Sequence, residues 1–221
     1  MKKVEAIVRT LGPAVDYYKV GMRLYTRYGP EVLKFLQKKK KKIFLDLKYH
    51  DIPNTVAEAC REAMLHRVQM LTLHASGGLE MMGAAMASVK ATAREKKIPR
   101  PLVMGVTVLT SMNNLSEVGI GRSPLLQVKK LAALAKRAAL DGVICSPLEI
   151  ALLRKLLPKK FKIVTPGVRP IGSPSGDQKR IKTPAEAFRL GADAVVVGRP
   201  ILSAANPLKV AKEILDSSRN Y

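Results

Sequence analysis

Short apolar runs rich in β-branched residues alternate with amphipathic stretches along the whole chain. The apolar runs predict seven strands, near residues 17–22, 43–48, 70–74, 102–109, 142–145, 162–165 and 194–197. Between and around them, apolar positions at helical spacing predict eight helices, near residues 3–11, 30–39, 55–66, 79–95, 125–140, 147–156, 184–190 and 207–216. This alternation is typical of repeated βα units that build a parallel sheet.

Three of the predicted helices begin with recognisable capping residues. The segments 146–149 and 183–186 have the Ser/Thr-Pro-x-Glu spacing of a capping box, with proline at the first helical position. Asn206 precedes Pro207 in a similar way. We therefore expect helices to begin at Pro147, Pro184 and Pro207.

The order of the elements predicts an α/β fold, a (β/α)₈ TIM barrel that lacks its first β-strand in this chain, with residues 1–221 forming one domain. Such a barrel begins with a strand, whereas this chain opens on a predicted helix. An open seam would expose the edges of two strands, which natural folds normally avoid. We therefore favour a native start that lies further upstream.

Composition narrows the class of protein. Hydrophobic residues make up 47% of the chain, but no apolar stretch approaches the roughly 20 residues needed to span a bilayer. The N-terminal segment leads into a mixed sequence instead of the apolar block of a signal peptide. We expect a soluble, cytoplasmic protein.

Cys60 and Cys145 are too few and too far apart to form a disulfide framework or a metal site.

The chain is strongly basic, with 39 Lys and Arg against 17 Asp and Glu and a formal net charge of +22. This charge favours anionic ligands. The densest run, Lys38 to Lys42, lies between a predicted helix and a predicted strand, where we expect an exposed turn. Tryptophan is absent and aromatic residues are few, which argues against a dedicated nucleic-acid-binding module.

Charged residues follow directly on the second predicted strand. Residues 43–45 form an apolar run, and Asp46, Lys48 and Asp51 come after it. Because side chains alternate along a strand, Asp46 and Lys48 should face the same side about 7 Å apart. Buried charges are costly unless they are paired or used in chemistry, so this set predicts either a structural salt bridge or a charged reaction centre.

Several motifs together resemble the orotidine 5′-phosphate decarboxylase family. They cover essentially everything after the first helix and stand in the expected order: Tyr18-Lys19-Val20-Gly21, Phe44-Leu45-Asp46-Leu47-Lys48-Tyr49-His50-Asp51-Ile52-Pro53-Asn54-Thr55, Leu73-His74-Ala75-Ser76-Gly77-Gly78, Val106-Thr107-Val108-Leu109-Thr110-Ser111, Thr165-Pro166-Gly167-Val168-Arg169-Pro170, Gly176-Asp177-Gln178 and Val197-Gly198-Arg199-Pro200. The resemblance implies a (β/α)₈ barrel that works as a homodimer without a cofactor or metal. It also implies the conversion of orotidine 5′-monophosphate to UMP and carbon dioxide.

The same resemblance implies roles for the charged residues. Lys48 would give a proton to the pyrimidine carbon that loses its carboxylate, and Asp46 would lie against that carboxylate. Lys19 would complete the charge network from the neighbouring strand. A further group would reach across the dimer interface into the partner subunit's site: Asp51, Ile52 and Thr55.

A second group of residues is implied at the phosphate end of the substrate. Gly198 and Arg199 follow the last predicted strand, where (β/α)₈ enzymes commonly bind phosphate. The resemblance adds Arg169 and Gln178, on a loop that would close over the ligand, and it places Thr110 against the pyrimidine.

Two other functions stay open at this point. A magnesium-dependent sugar-phosphate decarboxylase or aldolase of the same superfamily would share the spacing of Asp46, Lys48 and Asp51 but should carry further carboxylate ligands. An inactive basic scaffold could instead bind RNA or another polyanion through its lysines. The ribose-binding aspartate that ends the first strand in the family has no counterpart here, and we interpret His50 and His74 as structural groups.

Overall fold

The computed structural model describes residues 1–170 and 182–218 and contains the alternation that the sequence predicts. The strands in these ranges are β1 Tyr17–Gly21, β2 Lys42–Tyr49, β3 Met70–His74, β4 Leu102–Val106, β5 Gly142–Ile144, β6 Lys162–Thr165 and β7 Ala194–Val195. All seven predicted strands are therefore present. β4 and β7 end earlier than predicted.

The helices in the described ranges are α1 Lys2–Leu11, α2 Met22–Tyr28, α3 Glu31–Lys38, α4 Pro53–Leu65, α5 Gly78–Lys96, α6 Pro124–Arg137, α7 Ile150–Leu156, α8 Pro184–Arg189, α9 Arg199–Leu202 and α10 Pro207–Asp216. The sequence did not predict α2 or α9. α2 is seven residues long, shorter than the window of 11 or more residues over which helical periodicity is recognised. Because α9 is four residues long, it is too short to show any periodicity.

Two of the three predicted helix starts are confirmed. Before α8, the hydroxyl of Thr183 accepts a hydrogen bond from the Glu186 backbone N–H at 3.2 Å, and the Glu186 carboxylate accepts one from the Thr183 N–H at 2.8 Å. The Asn206 side chain accepts from the Lys209 N–H at 3.0 Å at the start of α10.

The predicted start at Pro147 is wrong, because α7 begins at Ile150. The Ser146 hydroxyl accepts a hydrogen bond from the N–H two residues ahead, that of Leu148, at 3.2 Å. This short-range bond closes a turn, so the hydroxyl does not cap the first turn of a helix. Glu149 is almost fully buried and takes the N-cap position instead.

The chain divides into two compact units, and the first of them comprises Asp16–Thr107 and Leu131–Val143. In this unit β1 to β4 pair in parallel, each with the next strand along the chain. Its sheet is buried mainly through aliphatic side chains such as Val20, Leu45, Leu71 and Met104. Because the strands are parallel, the residues that follow β1, β2 and β3 meet at one edge of the sheet, which we call the carboxyl edge.

The other unit comprises Met1–Val15, Val108–Lys130 and Ile144–Tyr221. Here β6 pairs in parallel with β7, and α1 packs against α10. The sequence predicted a buried strand at 194–197, whereas β7 is two residues long and half-buried. Among the described residues of this unit, β7 pairs only with β6. A strand with one neighbour is less buried than a central strand.

The lysine run between α3 and β2 is a turn, as predicted. Lys40 takes a positive φ of 53°, and its N–H donates to the Gln37 carbonyl at 2.8 Å. Four of the five lysines are exposed and Lys41 is half-buried. None of the helices in residues 1–170 and 182–218 has the length and apolar character that crossing a membrane requires. The single domain over 1–221 stays a prediction.

Candidate active site

The second strand is irregular where the charged residues begin. Leu45 pairs with Leu71, but Tyr49 pairs with Leu73, so residues 46–48 lie opposite Thr72 alone. Lys48 has a φ of 54°, in the left-handed region that residues with a Cβ rarely adopt. We call this irregularity, residues 46–48 opposite Thr72, the bulge. Bulges of a strand re-aim side chains and are common beside active sites. β2 is therefore not the regular strand from which the sequence placed Asp46 and Lys48 on one face.

Three of the predicted charged residues nevertheless come together. The Lys48 Nζ donates to Asp46 Oδ1 at 2.8 Å, and the Lys19 Nζ lies 3.3 Å from Asp46 Oδ2. Lys19 comes from β1, where its neighbour Gly21 is in register with Asp46. Asp46 is only 8% exposed. The arrangement is one buried carboxylate held between two ammonium groups.

The protonation state of Asp46 follows from this arrangement. Burial by itself raises the pKa of the Asp46 carboxyl, but the charges of Lys19 and Lys48, with hydrogen bonds from Lys48 and Thr72, outweigh burial. The pKa of Asp46 therefore lies below its ordinary value of 3.8. At neutral pH the residue is a carboxylate, able to orient an ammonium group.

We expect Asp46→Asn to lower the free energy of unfolding at pH 7 by about 1–3 kcal/mol, because two ammonium groups then face each other without a counter-charge. The folded-state pKa is lowered, so the stabilising contribution of Asp46 is present above its unfolded pKa and is lost as the pH falls through the folded value. The difference between the two proteins should therefore shrink below about pH 4. Urea unfolding at several pH values measures it, and a difference that stays constant down to pH 3 would contradict the prediction.

Asp51 is not part of this cluster. Its Oδ1 accepts a hydrogen bond from the Ile52 N–H at 2.7 Å, and within the described ranges it forms no ion pair. Ile52 is 66% exposed, and Thr55, in the first turn of α4, is exposed as well. The structure thus separates the residues that were expected to act across a dimer interface from the three that meet within one chain.

Two histidines lie beside the charge cluster. The rings of His50 and His74 are 5.3 Å apart between centroids and tilted by 35°. Burial lowers the pKa of His74 below its ordinary value of 6.5, and the nearby charges of His50 and Lys48 lower it further, against an opposing effect of Asp46. His74 is therefore neutral at pH 7. His50 stands two positions after Lys48, but no local pattern in the sequence places His74 near that residue.

Sequence reasoning also missed two residues that shape the cluster. The hydroxyl of Thr72, in β3, donates to Asp46 Oδ1 at 3.0 Å and accepts from the Lys48 N–H at 3.0 Å. A Cβ at Gly21 would lie 2.8 Å from the Lys19 Nζ, so glycine leaves room for that ammonium. The only sequence signal for Thr72 is a hydroxyl within an otherwise apolar strand.

The residues predicted for the phosphate and the pyrimidine belong to the other unit. Gly198 and Arg199 are exposed, at the N-cap and first residue of α9. Arg169 is 7% exposed, and its Nη1 donates to the Val168 carbonyl at 2.8 Å. The sequence placed Thr110 at a strand end, but it lies in a turn four residues after β4 ends. Gln178 lies outside the described residues.

Possible metal ligands do not cluster in the described part of the chain. Across residues 1–170 and 182–218, no group of three or more His, Cys, Asp or Glu side chains is placed so that it could hold a metal ion.

Comparison with known proteins gives a consistent result over nearly the whole chain. Residues 1–214 match a family model described as orotidine 5′-phosphate decarboxylase / HUMPS family. A curated orotidine 5′-phosphate decarboxylase from Actinobacillus succinogenes is 48% identical over 217 residues, which are 97% of this chain and 92% of that protein. The Haemophilus influenzae protein of the same name is 48% identical over 95% of this chain and 90% of its own.

Solved structures agree with these matches. The crystal structure of orotidine 5′-phosphate decarboxylase from Lactobacillus acidophilus superimposes with a TM-score of 0.85 at 35% identity and covers 99% of this chain and 94% of its own. An uncharacterized conserved protein from Geobacillus kaustophilus gives the same TM-score at 34% identity, with 99% and 95% coverage. Together with the parallel βα order, these likenesses confirm the predicted α/β fold class of the (β/α)₈ TIM-barrel type. No strand precedes Tyr17 among the described residues.

Proposed function

Because the chain belongs to the orotidine 5′-phosphate decarboxylase / HUMPS family, we propose that it converts orotidine 5′-monophosphate to UMP and carbon dioxide in pyrimidine biosynthesis, without a cofactor. The observation that carries this proposal is the near-full-length similarity to curated decarboxylases of that name. The cluster of Lys19, Asp46 and Lys48 supports it, since the reaction needs a cation where negative charge develops. We also predict a cytoplasmic location.

Lys48 is the proton donor in this proposal. When the bond between the pyrimidine carbon and the carboxylate breaks, its electron pair stays on the ring carbon and carbon dioxide leaves. The Lys48 ammonium stabilises that negative charge and then transfers a proton from Nζ to the same carbon. The neutral amine regains a proton from water, so the enzyme returns to its starting state.

Asp46 aims that ammonium. Its two carboxylate oxygens are shared between Lys48, at 2.8 Å, and Lys19, at 3.3 Å, so the two cations are held at fixed positions around one anion. Asp46 would lie against the carboxylate of the substrate. The lowered pKa of Asp46 supports its role in orienting Lys48, because a protonated Asp46 would not orient two ammonium groups.

A second copy of the chain completes the site in our proposal. Asp51, Ile52 and Thr55 are exposed, so they are free to reach into a partner's site. Apolar side chains are also exposed after each of the first three strands at the same carboxyl edge: Met22 after β1, Ile52 after β2 and Leu79 after β3. Burial of such side chains against a second copy would stabilise a homodimer.

The phosphate end supplies binding energy that can help to assemble the reaction centre. We assign the phosphate to Arg169, Gln178, Gly198 and Arg199, and contact with the pyrimidine to Thr110. The exposed Gly198 and Arg199, which follow β7 and begin α9, support this assignment, since backbone N–H groups and a guanidinium at such a position suit an anion.

The assay that tests the function is the loss of orotidine 5′-monophosphate absorbance with the purified chain. We expect turnover that is unchanged by a chelator such as EDTA, because the proposed charge stabilisation comes from Lys48 and not from a metal ion. A sugar phosphate is the control substrate, and because it lacks the absorbing pyrimidine ring its loss is followed by chromatography.

Three outcomes separate the proposal from its rivals. Turnover of a sugar phosphate that EDTA abolishes would show the magnesium-dependent activity. Salt-sensitive binding of RNA without any release of carbon dioxide would show the basic scaffold, for which the net charge of +22 is the supporting observation. EDTA-resistant release of carbon dioxide from orotidine monophosphate supports the decarboxylase.

A further inference from the structure

The reaction centre contains a closed ring of polar contacts that includes an uncharged residue. The Lys48 N–H donates to Thr72 Oγ1 at 3.0 Å, and that hydroxyl donates to Asp46 Oδ1 at 3.0 Å. The same Oδ1 accepts from the Lys48 Nζ at 2.8 Å. The ring therefore runs from the Lys48 backbone through Thr72 and Asp46 to the Lys48 ammonium.

Thr72 is fully buried, with 0% of its surface exposed. A threonine hydroxyl can donate one proton and accept hydrogen bonds through its lone pairs. Here the Thr72 hydroxyl donates to the Asp46 carboxylate and accepts from the Lys48 N–H. Water cannot replace a buried hydroxyl without a cavity to enter. Removal of the oxygen would thus leave the Lys48 N–H and one lone pair of Asp46 without this partner.

The Thr72 hydroxyl also stabilises the irregular backbone of β2 at Lys48. Residues 46–48 of β2 lie opposite Thr72 alone, so regular ladder pairing is interrupted at the point where Lys48 takes its φ of 54°. The left-handed conformation is unfavourable for a residue with a Cβ and persists only where surrounding contacts hold it. The hydrogen bond from the Lys48 N–H to Thr72 is such a contact.

We propose that Thr72 is a positioning residue for the decarboxylation, and that its hydroxyl sets the backbone and the ammonium of Lys48 relative to Asp46. This inference rests on the proposed function, because the ammonium matters only if it meets the substrate. Thr72 does not touch the reacting atoms in this scheme. It acts through Lys48 and Asp46.

The test compares Thr72→Val, Thr72→Ser and Thr92→Val. Valine keeps the β-branched shape of Thr72 and removes only the hydroxyl, whereas serine keeps the hydroxyl. Thr92 is a matched control, since it is 2% exposed in α5 of the same unit and its hydroxyl donates to the Ser88 carbonyl at 2.9 Å, away from the cluster.

We expect Thr72→Val to lower kcat by about 10- to 100-fold, because misplacement of a catalytic group by about 1 Å costs that much. KM should change by less than about threefold, because the phosphate end does not depend on Thr72. Thr72→Ser should recover most of kcat, and Thr92→Val should keep it. A Thr72→Val enzyme with wild-type kcat, or a serine variant as slow as the valine variant, would overturn the inference.

A second measurement does not need turnover. In the ligand-free protein, the carbon-13 carboxyl resonance of Asp46 should titrate at higher pH in Thr72→Val than in the wild type or in Thr92→Val, because the carboxylate has lost a hydrogen-bond donor. If the wild type releases no carbon dioxide but Asp46 shifts in this way, the proposed function fails while the network stands. If the Asp46 titration is the same in all three proteins, Thr72 does not hold the network.

Discussion

Replacement of Lys48 by alanine is expected to lower kcat for orotidine monophosphate by about 10⁴-fold or more, because one ammonium both stabilises the developing negative charge and supplies the proton. Binding of UMP should weaken far less, since the proposed phosphate contacts come from other residues. The measurements are kcat from the absorbance assay and the UMP dissociation constant from calorimetry.

Two control variants accompany Lys48→Ala, one chosen for the left-handed backbone of Lys48 and one for a lysine elsewhere. Lys48→Gly also removes the amine but tolerates the φ of 54°, so it should be as inactive as Lys48→Ala and more stable by about 1 kcal/mol. Lys34→Ala, at an exposed lysine of α3, should keep wild-type turnover. Substantial activity in both Lys48 variants would show that another group donates the proton.

Mixing two inactive variants is expected to restore activity if the site is shared between subunits. Asp51→Ala and Lys48→Ala should each be nearly inactive as homodimers. After random exchange of equal amounts, half of the dimers are hybrids, and each hybrid has one intact site of its two, so about a quarter of wild-type activity should return. Differently tagged subunits, purified in tandem, give the hybrid directly.

A matched mixture controls for this result. Asp46 and Lys48 lie in the same chain at 2.8 Å, so a hybrid of Asp46→Asn with Lys48→Ala has one defect in each site and should stay inactive. If the purified hybrid of Asp51→Ala with Lys48→Ala is also inactive, Asp51 acts within its own subunit. An Asp51→Ala homodimer with wild-type turnover would remove Asp51 from the site altogether.

Prediction from sequence was strongest where a local pattern carries the information. All seven strands were found, because an apolar β-branched run is visible without knowledge of its neighbours. The caps at Thr183 and Asn206 were found for the same reason, since a cap involves residues within one turn. Ser146 begins the same Ser/Thr-Pro-x-Glu pattern but closes a turn, which shows that spacing alone does not distinguish a helix cap from a turn.

The candidate site was predicted in part. The charged residues at the end of the second strand pointed to Asp46 and Lys48, and the family resemblance added Lys19. The structure brings the three together. The predicted meeting of Asp46 and Lys48 is confirmed, but the sequence did not predict that the register of β2 shifts opposite Thr72. A bulge depends on the register between two strands, and register depends on pairing over long sequence separations.

The sequence by itself determined the βα order, the family and the residue types available for chemistry, because apolar periodicity and motif spacing are properties of neighbouring residues. Only the tertiary structure decided the left-handed backbone of Lys48, the buried hydroxyl of Thr72 between Lys48 and Asp46, and the exposure of Asp51. The first two features come from the pairing of β2 with β3, which brings together residues 24 to 26 positions apart. No local pattern records which side chains such pairing brings into contact.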